Sequence, residues 1–557
     1  MIGFGCLIAG FALTGAPVAA NGPRPKAGPP AFRAEAIMDH VKVLASDEFE
    51  GRAPGTKGEA LTVAYIADQF REAGLKPGNT DGTYFQNVPM VGITADPAAS
   101  LVFKRGRATQ TLAFKNDVVA WTKRVKETVR LDASDVVFVG YGIEAPEYQW
   151  DDYKGIDLAG KTVIMLVNDP PVPDPADPTR LDRNIFGGRA MTYYGRWTYK
   201  YEKGAEKHAA AVLIVHETEP AAYPFAVIQS KVTEQFGLVT PGGNMGRVAI
   251  EGWITLEQTK KLFALAGQDF DALKKRAATR AFTPVTMDIK ASMTLNSRIR
   301  KIDSRNVIGM LPGSDPALKN EYVIYTAHWD HFGIGPEING DKIYNGALDN
   351  ATGIAGMIEL ARAFVKLPVA PKRSLLFLAV TAEEQGLLGS DYYAKHPIYP
   401  LSKTLAVINM DSLNIYGRAK DLTVVGLGAS ELDDYARDAA AAQGRVPSAD
   451  PQPEAGGYFR SDHFPFAKQG VPAINAGGGS DYIGRPAGWG KQVSDAYRAQ
   501  HYHKPSDEIR PDWDLSGGLD DLQIYFAIGV RAADTGKWPE WRPGSEFRAR
   551  RDAMLGR

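Results

Sequence analysis

The stretch from Tyr322 to Asp349 constrains this chain most. It opens with the β-branched and aromatic run YVIY, which predicts a buried strand. The strand ends in His328, Asp330 and His331, all residue types that bind metals or support metal ligands. Because His328 and Asp330 are two positions apart, they point to the same side of an extended backbone. That is the arrangement of an imidazole ligand backed by a carboxylate, so the stretch predicts a strand that ends at a metal site.

Strand-like and helix-like segments alternate along the chain downstream of Ser304. Six apolar runs predict strands, and the apolar residues of 351–365 recur on one helical stripe. This alternation predicts an α/β fold with a mostly parallel, twisted sheet and helices on both of its faces. Ligands of such sheets bind beyond the carboxyl ends of the strands. The predicted strands are 306–311, 321–328, 374–381, 404–411, 422–428 and 471–477.

Metal-binding residue types follow three of these strands in succession. His328 ends the second predicted strand, Glu383 and Glu384 follow the third, and Asp411 ends the fourth. Paired glutamates are usually solvated, and an aspartate after a strand is often a turn residue. Neighbouring parallel strands, however, bring such side chains to one edge of a sheet. We therefore expect these four residues to share a site.

Two further residues complete the candidate set. Asp349 lies at the start of the predicted helix, where capping is the ordinary role of an aspartate. His503 lies in the late loop HYHKPSDE, and the alternative is that it is a structural or exposed histidine. Two histidines and three carboxylates without a thiolate suit two divalent ions of the zinc, manganese or cobalt kind. One of the carboxylates can bridge the two ions.

Five ordered motifs resemble the M28 zinc peptidases, a family that includes bacterial aminopeptidases and the glutamate carboxypeptidase group. They are TAHWDH, GALDNATG, TAEEQGLLGS, NMDSLN and YHKPSDE, spread over roughly residues 300–530, and LASDEFEGRAPGTKGE resembles the opening segment of the family. The resemblance implies a catalytic domain like those of the zinc peptidases and phosphorylase-like hydrolases. It also implies two Zn²⁺ ions, with Mn²⁺ or Co²⁺ as substitutes.

The same resemblance assigns the metal ligands by position. His328 and Asp411 would bind one zinc, Glu384 and His503 the other, and Asp349 would bridge them. These five residues are the predicted metal site.

The resemblance also assigns catalytic and supporting roles around the metals. Glu383 would be the general base, and Tyr502 would hydrogen-bond the developing oxyanion. Asp330 would support His328, and a cis peptide is expected between Asp349 and Asn350, where the family often has one.

Composition divides the chain and limits its partners. A length of 557 residues predicts more than one domain, and a net charge of -1 argues against nucleic acid as a partner. Residues 125–285 resemble a protease-associated domain, rich in β-structure, inserted into the catalytic domain. The apolar N-terminus predicts a signal peptide and export to the periplasm or medium, with an uncleaved membrane anchor as the alternative. The predicted segments are a signal peptide at 1–20, a linker at 21–31, catalytic parts at 32–124 and 286–540, the insert at 125–285 and a tail at 541–557.

The expected function is hydrolysis of the N-terminal peptide bond of peptides by an aminopeptidase with no membrane span in its mature chain. The alternatives are a carboxypeptidase of the glutamate carboxypeptidase type, in which Arg460 or Arg485 would hold a carboxylate, and a receptor-like binding protein without catalysis. His331, His463 and His501 lie near the motifs and are candidates for lining the substrate pocket. The sequence leaves the oligomeric state and the side-chain preference open.

Overall fold

The computed structural model describes residues 1, 30–96, 99–230 and 234–557. The predicted signal peptide and most of the predicted linker lie outside the described residues. Within the described part of the chain, no helix is both long enough and apolar enough to cross a membrane.

The first sheet carries the predicted strands, and its centre is parallel. Four parallel neighbours lie in the order Ser374–Val380, Tyr322–His328, Thr404–Asn409 and Ala473–Gly477. The strands that complete both edges pair mostly antiparallel, so the sheet is parallel in its core and mixed overall. The edge strands are Lys76–Pro77, Phe85–Ala95, Glu234–Leu238, the long strand Val285–Leu311, Asp421–Val425 and Val446–Ala449.

Helices cover both faces of the first sheet, which confirms the predicted layers. Along Tyr322–His328, Val323 and Tyr325 face one apolar cluster while Ile324 faces another, as the period of two requires. The first cluster packs against helices Ala34–Leu44, Lys57–Ala73, Thr352–Val365, Leu432–Ala441 and Ser516–Asp534. The second cluster packs against helices Leu388–Lys395 and His463–Lys468 and the C-terminal residues Trp541 and Phe547.

A second sheet with its own apolar cluster lies in the middle of the chain. Its strands are Ser100–Arg105, Ala108–Ala113, Val118–Trp121, Thr128–Phe138, Thr162–Leu166, Ala211–His216 and Ile250–Thr255. Its helices are Trp197–Glu206, Thr218–Ala221, Phe225–Ser230, Leu256–Leu265 and Phe270–Ala277. The sheet begins at Ser100, earlier than the predicted insert boundary at 125. Its assignment as a protease-associated domain stays a prediction.

The long strand Val285–Leu311 joins the two sheets. Its first part, up to Asn296, pairs with the second sheet, and from Ser297 onward it pairs with Phe85–Ala95 and then Ser374–Val380 in the first. The predicted boundary at 286 therefore falls inside a continuous strand. There are also two short hairpins, Glu144–Ala145 with Trp150–Asp151 and Gly333–Ile338 with Asp341–Tyr344. The helices Trp489–Gln500 and Arg548–Leu555 and several short 3-10 helices, among them Asp47–Arg52, belong to neither set of layers described above.

Candidate metal centre

The carboxyl ends of three central strands meet at one edge of the first sheet. His328 is the last residue of its strand, Asp411 follows Thr404–Asn409 by two residues, and Glu383 and Glu384 follow Ser374–Val380. Since these strands are parallel neighbours, the side chains that follow them converge, as predicted.

One group of ligand atoms gathers around His328. Its Nε2 lies 3.2 Å from Asp411 Oδ1 and 3.3 Å from Asp349 Oδ1. The imidazole is 1% exposed and the Asp411 side chain 25%, so the group is closed at His328 and accessible at Asp411. Together they could hold one metal ion.

A second group gathers around the other oxygen of Asp349. His503 Nε2 lies 3.3 Å from Asp349 Oδ2 and 3.1 Å from Glu384 Oε2. Asp349 thus turns one carboxylate oxygen to each group, which is the geometry required of a bridging ligand. The predicted set of five metal-ligating side chains lies together in the structure.

The donor chemistry of this second group fits a divalent ion. His503 Nε2 and Glu384 Oε1 are buried without a hydrogen bond of good geometry, although charged partners lie close by. Burial lowers the pKa of His503, but Glu384 and Asp349 outweigh it and raise that pKa to about 10. A divalent cation would satisfy these crowded carboxylates better than a single proton can. Imidazole and carboxylate ligands without thiolates suit zinc, manganese or cobalt.

Asp349 is held by the backbone around it and caps no helix. The peptide between Asp349 and Asn350 is cis, as predicted. The Asp349 N–H donates to Asp507 Oδ2 at 3.0 Å, and the following helix begins only at Thr352. Asn350 Oδ1 instead accepts the Gly353 N–H at 2.9 Å. The ordinary capping role therefore belongs to Asn350, and both Asp349 oxygens are left for the site.

Asp330 supports the site differently from the prediction. Its main-chain carbonyl lies 3.1 Å from His328 Nδ1, whereas its carboxylate lies 3.9 Å away. The carboxylate accepts the backbone N–H groups of Glu383 at 3.0 Å and Glu384 at 3.4 Å. Asp330 therefore holds the loop that carries the two glutamates, and its backbone orients the imidazole.

Glu383 is buried and interacts electrostatically with His328 and Asp411 of the first group and with Glu384 of the second. Burial raises the pKa of Glu383 well above its ordinary range; His328 opposes this change, while Asp411 and Glu384 add to it. A carboxyl group with a raised pKa can hold a proton near neutral pH, as a general base must during a reaction. Metal ions bound beside Glu383 would lower its pKa.

Tyr502 stacks on His503 with a ring separation of 3.7 Å and is 44% exposed. It stands at the mouth of the site, and its role toward an oxyanion stays a prediction.

Sequence reasoning missed a chain of hydrogen bonds behind Asp411. Ser461 Oγ donates to Asp411 Oδ2 at 2.6 Å and accepts from Asn409 Nδ2 at 2.7 Å. Asn409 Oδ1 accepts in turn from Thr326 Oγ1 at 2.7 Å on the neighbouring strand. The polar residues Thr326 and Asn409 inside otherwise apolar strands were the signal that could have pointed to this chain.

The three histidines near the motifs have different surroundings. His331 is fully buried, and its Nδ1 lies 2.7 Å from Glu384 Oε1, so it contacts a predicted ligand. His463 is also fully buried beside Tyr458, and burial lowers its pKa to about 3. His501 Nδ1 lies 3.0 Å from the Ser506 carbonyl in an exposed turn. His331 is the one of these three that belongs to the site.

The fold and the site define an α/β protein with histidines and carboxylates gathered as a metal site at the carboxyl edge of its central strands. Residues 306–527 match the model of peptidase family M28. The predicted family resemblance is confirmed.

Individual relatives are similar over part of their length. Aminopeptidase YwaD of Bacillus subtilis is 28% identical over 40% of this chain and 45% of its own. Leupeptin-inactivating enzyme 1 of Streptomyces exfoliatus is 28% identical over 41% of this chain and 49% of its own. A solved aminopeptidase from Aneurinibacillus sp. strain AM-1 covers 91% of this chain and 95% of its own, with 22% identity and a TM-score of 0.47. The chain spans about half the length of the curated relatives that it matches.

Proposed function

We propose that this chain is a zinc-dependent aminopeptidase that hydrolyses the N-terminal peptide bond of peptides at a centre of two zinc ions. One observation carries the proposal: the two oxygens of Asp349 face two different groups of histidine and carboxylate ligands, at 3.3 Å from His328 and 3.3 Å from His503. The match of residues 306–527 to the model of peptidase family M28 supports peptide hydrolysis.

The residues around the two groups suit this chemistry. Divalent ions held by His328, Asp411, Asp349, Glu384 and His503 would supply Lewis acidity, which makes water a better nucleophile and a carbonyl carbon a better electrophile. Glu383 would take a proton from the attacking water and deliver it to the departing amine. Tyr502 would donate a hydrogen bond to the oxygen that gains negative charge.

Asp330 would keep Glu383 in place during both proton transfers. Its carboxylate accepts the Glu383 N–H at 3.0 Å, so the loop cannot turn without breaking a buried hydrogen bond. A fixed base keeps its oxygen within reach of both protons.

The variant Glu383→Gln tests the base. The amide keeps the size of the side chain and loses the ability to take a proton. We expect the purified variant to retain zinc and to lose about 2 orders of magnitude or more in kcat on aminoacyl-anilides. Glu257→Gln, at an exposed position of helix Leu256–Leu265, is the matched control, and its kcat should equal that of wild type. Wild-type turnover by zinc-loaded Glu383→Gln would show that the base is wrongly assigned.

A separate experiment tests which end of the peptide the site recognises, the N-terminal amine or the C-terminal carboxylate. The aminopeptidase name of a Bacillus subtilis relative supports recognition of the free amine. We expect N-acetylation of a peptide to abolish cleavage and C-terminal amidation to leave it intact. The reverse result would favour the carboxypeptidase alternative.

We also propose that the protein is exported, on the basis of its apolar N-terminal sequence. N-terminal sequencing of the protein from its native host should begin at Asn21. A mature protein that retains Met1 would favour the uncleaved anchor.

A further inference from the structure

Arg52 is a buried cation whose hydrogen-bond acceptors are backbone carbonyls. Its side chain is 1% exposed. Nη1 donates to Leu44 O at 2.5 Å and to Asn345 O at 2.6 Å, Nη2 donates to Gly346 O at 2.8 Å, and Nε donates to Trp329 O at 2.9 Å. One side chain therefore ties an N-terminal segment to two loops almost 300 positions later in the sequence.

The two loops held by Arg52 carry metal-ligating residues. Trp329 directly follows His328, and Gly346 lies three residues before Asp349. The carbonyl of Arg52 in addition accepts the His331 N–H at 3.4 Å. The guanidinium thus fixes the spacing between the strand end that bears His328 and the turn that bears the bridging Asp349.

The backbone around Arg52 is built for this close approach. Gly51 has φ +65, and a Cβ at this position would come within 2.4 Å of the Tyr344 carbonyl. Ala53 packs on Gly333, where a Cβ would lie 2.6 Å from the alanine methyl group. The segment of Arg52 can approach the loops this closely only because Gly51 and Gly333 lack side chains.

Arg52 also brings a positive charge close to a site of negative ones. It interacts electrostatically with Asp507, Asp330, Asp349 and Glu384. These carboxylates repel one another, and a fixed cation behind them reduces that repulsion before a metal binds. Burial lowers the pKa of Arg52 to about 10, so the group remains charged at neutral pH.

We propose that Arg52 is a positioning residue of the metal centre: its guanidinium presets the distance between the loops of His328 and Asp349, and its charge stabilises their carboxylates. The inference rests on the proposed function only in taking these residues as metal ligands. Its consequence is that Arg52 sets zinc affinity without touching zinc or substrate.

Arg551 provides a matched control. It too is 1% exposed, it donates to the carbonyl of Thr404 at 2.9 Å, and burial lowers its pKa to about 10. It holds the C-terminal helix to the carbonyls of Leu401 and Thr404, and none of its hydrogen-bond partners among the described residues is a predicted ligand. Substitution of either arginine removes a buried guanidinium, but of the two only Arg52 holds the loops that carry His328 and Asp349.

The test compares Arg52→Met and Arg52→Lys with Arg551→Met and Arg551→Lys. Zinc affinity is measured by competition with a chromophoric chelator, and the free energy of unfolding of the zinc-free protein is measured in urea. We expect Arg52→Met to weaken zinc binding by about 10- to 100-fold and Arg52→Lys, which can still donate to some of these carbonyls, by less. Both Arg551 variants should lower stability and leave zinc affinity unchanged.

Two results would overturn the proposal: Arg52→Met that binds zinc like wild type, or Arg551→Met that loses as much affinity. If neither Arg52 variant folds, hydrogen exchange of the wild-type protein decides. Zinc should then protect amides of Asp47–Arg52 but not those of Arg548–Leu555, and equal protection would refute it. Because the readouts are zinc binding and exchange, a wild-type protein that binds zinc and cleaves no peptide would count against the proposed function alone.

Discussion

At the residue scale, the order of the site depends on side chains outside the predicted set of metal ligands. Ser461 donates to Asp411 at 2.6 Å and is itself held by Asn409, which is held by Thr326. Only one Asp411 oxygen is thereby left to face His328. A carboxylate fixed in this way loses little freedom when it binds an ion.

We therefore expect Ser461→Ala to weaken zinc binding about 10-fold or more, because the variant frees Asp411 and leaves a buried donor of Asn409 without an acceptor. The measurement is zinc affinity by chelator competition. Ser448→Ala removes another hydrogen bond from serine to aspartate, at 2.8 Å to Asp421, and serves as the control. Equal affinity in Ser461→Ala and Ser448→Ala would contradict the role of the chain.

His331 offers a second test at this scale. Its Nδ1 lies 2.7 Å from Glu384 Oε1, opposite the oxygen that faces His503. His331→Asn places an amide donor near the position of Nδ1, whereas His331→Phe keeps the ring and removes the donor. We expect His331→Phe to bind about one zinc per chain and His331→Asn to retain two, measured by metal analysis after dialysis. Full occupancy in His331→Phe would show that Glu384 needs no such partner.

The sequence predicted the members of the site better than the contacts that hold it. His328, Glu383, Glu384 and Asp411 could be predicted because each follows an apolar run, and strand ends converge in a parallel sheet. The predicted role of Asp330 was wrong in detail. Its main-chain carbonyl, and not its carboxylate, is the hydrogen-bond partner of His328, and no side-chain pattern reveals such a contact. Ser461 and Arg52 act through contacts between distant parts of the chain, and neither has a local signature.

At the scale of elements, turns with positive φ bring the N-terminal segment to the site. Gly51 and Gly82 both have left-handed backbone conformations, with φ +65 and +86. A Cβ at Gly51 would meet carbonyl oxygens at 2.4 and 2.8 Å, whereas a Cβ at Gly82 would meet nothing within 4 Å. The two positions therefore separate backbone strain from steric overlap.

Gly82→Ala should lower the free energy of unfolding by about 1 kcal/mol, the cost of a left-handed alanine. Gly51→Ala should lower it by roughly 2 kcal/mol more, because the methyl group must displace backbone of two loops. Urea unfolding of the zinc-free proteins measures both values. Similar losses in the two variants would indicate that the segment can move away from the loops.

The elements themselves were predicted where their pattern is strong and missed where it is interrupted. The strand Tyr322–His328 was predicted to within a residue, because it is a continuous apolar run. The long strand was recognised only over its last six residues. Alternating buried Met287, Ile289, Ala291, Met293 and Leu295 could have extended it backward, but its change of sheet near Ser297 has no sequence signal.

At the scale of the molecule, the body built on the second sheet contacts the body built on the first through the loop before helix Trp197–Glu206, both by polar groups and by the ring of Tyr193, which lies 5.0 Å from that of Phe464. The Tyr193 N–H lies 3.3 Å from a carboxylate oxygen of Glu546, and Arg189 pairs with Glu454 at 2.6 Å. Burial raises the pKa of Glu546 to about 8, and Asp169 adds to the effect. A carboxyl in these surroundings is retained as the neutral acid near pH 7.

This junction should make stability depend on pH. The folded state keeps the Glu546 proton up to a pH of about 8, while the unfolded chain releases it from about 4.5. The unfolded state therefore binds fewer protons in this window, so the free energy of unfolding falls as pH rises from 5 to 8 and the loss is complete above pH 8. Below the unfolded pKa of about 4.5 this carboxyl is protonated in both states, so it causes no loss of stability there.

Glu546→Gln removes the titrating proton and retains an acceptor for Tyr193. Because Glu546 is partly exposed, we expect the variant to gain on the order of 1–2 kcal/mol over wild type between pH 5 and pH 9, less than full burial would give. Urea unfolding at fixed zinc concentration measures the difference, and the exposed Glu219→Gln should show none. If wild type and Glu546→Gln respond to pH in parallel, water must reach the junction freely, and the contact between the two bodies would then contribute little to the stability of the chain.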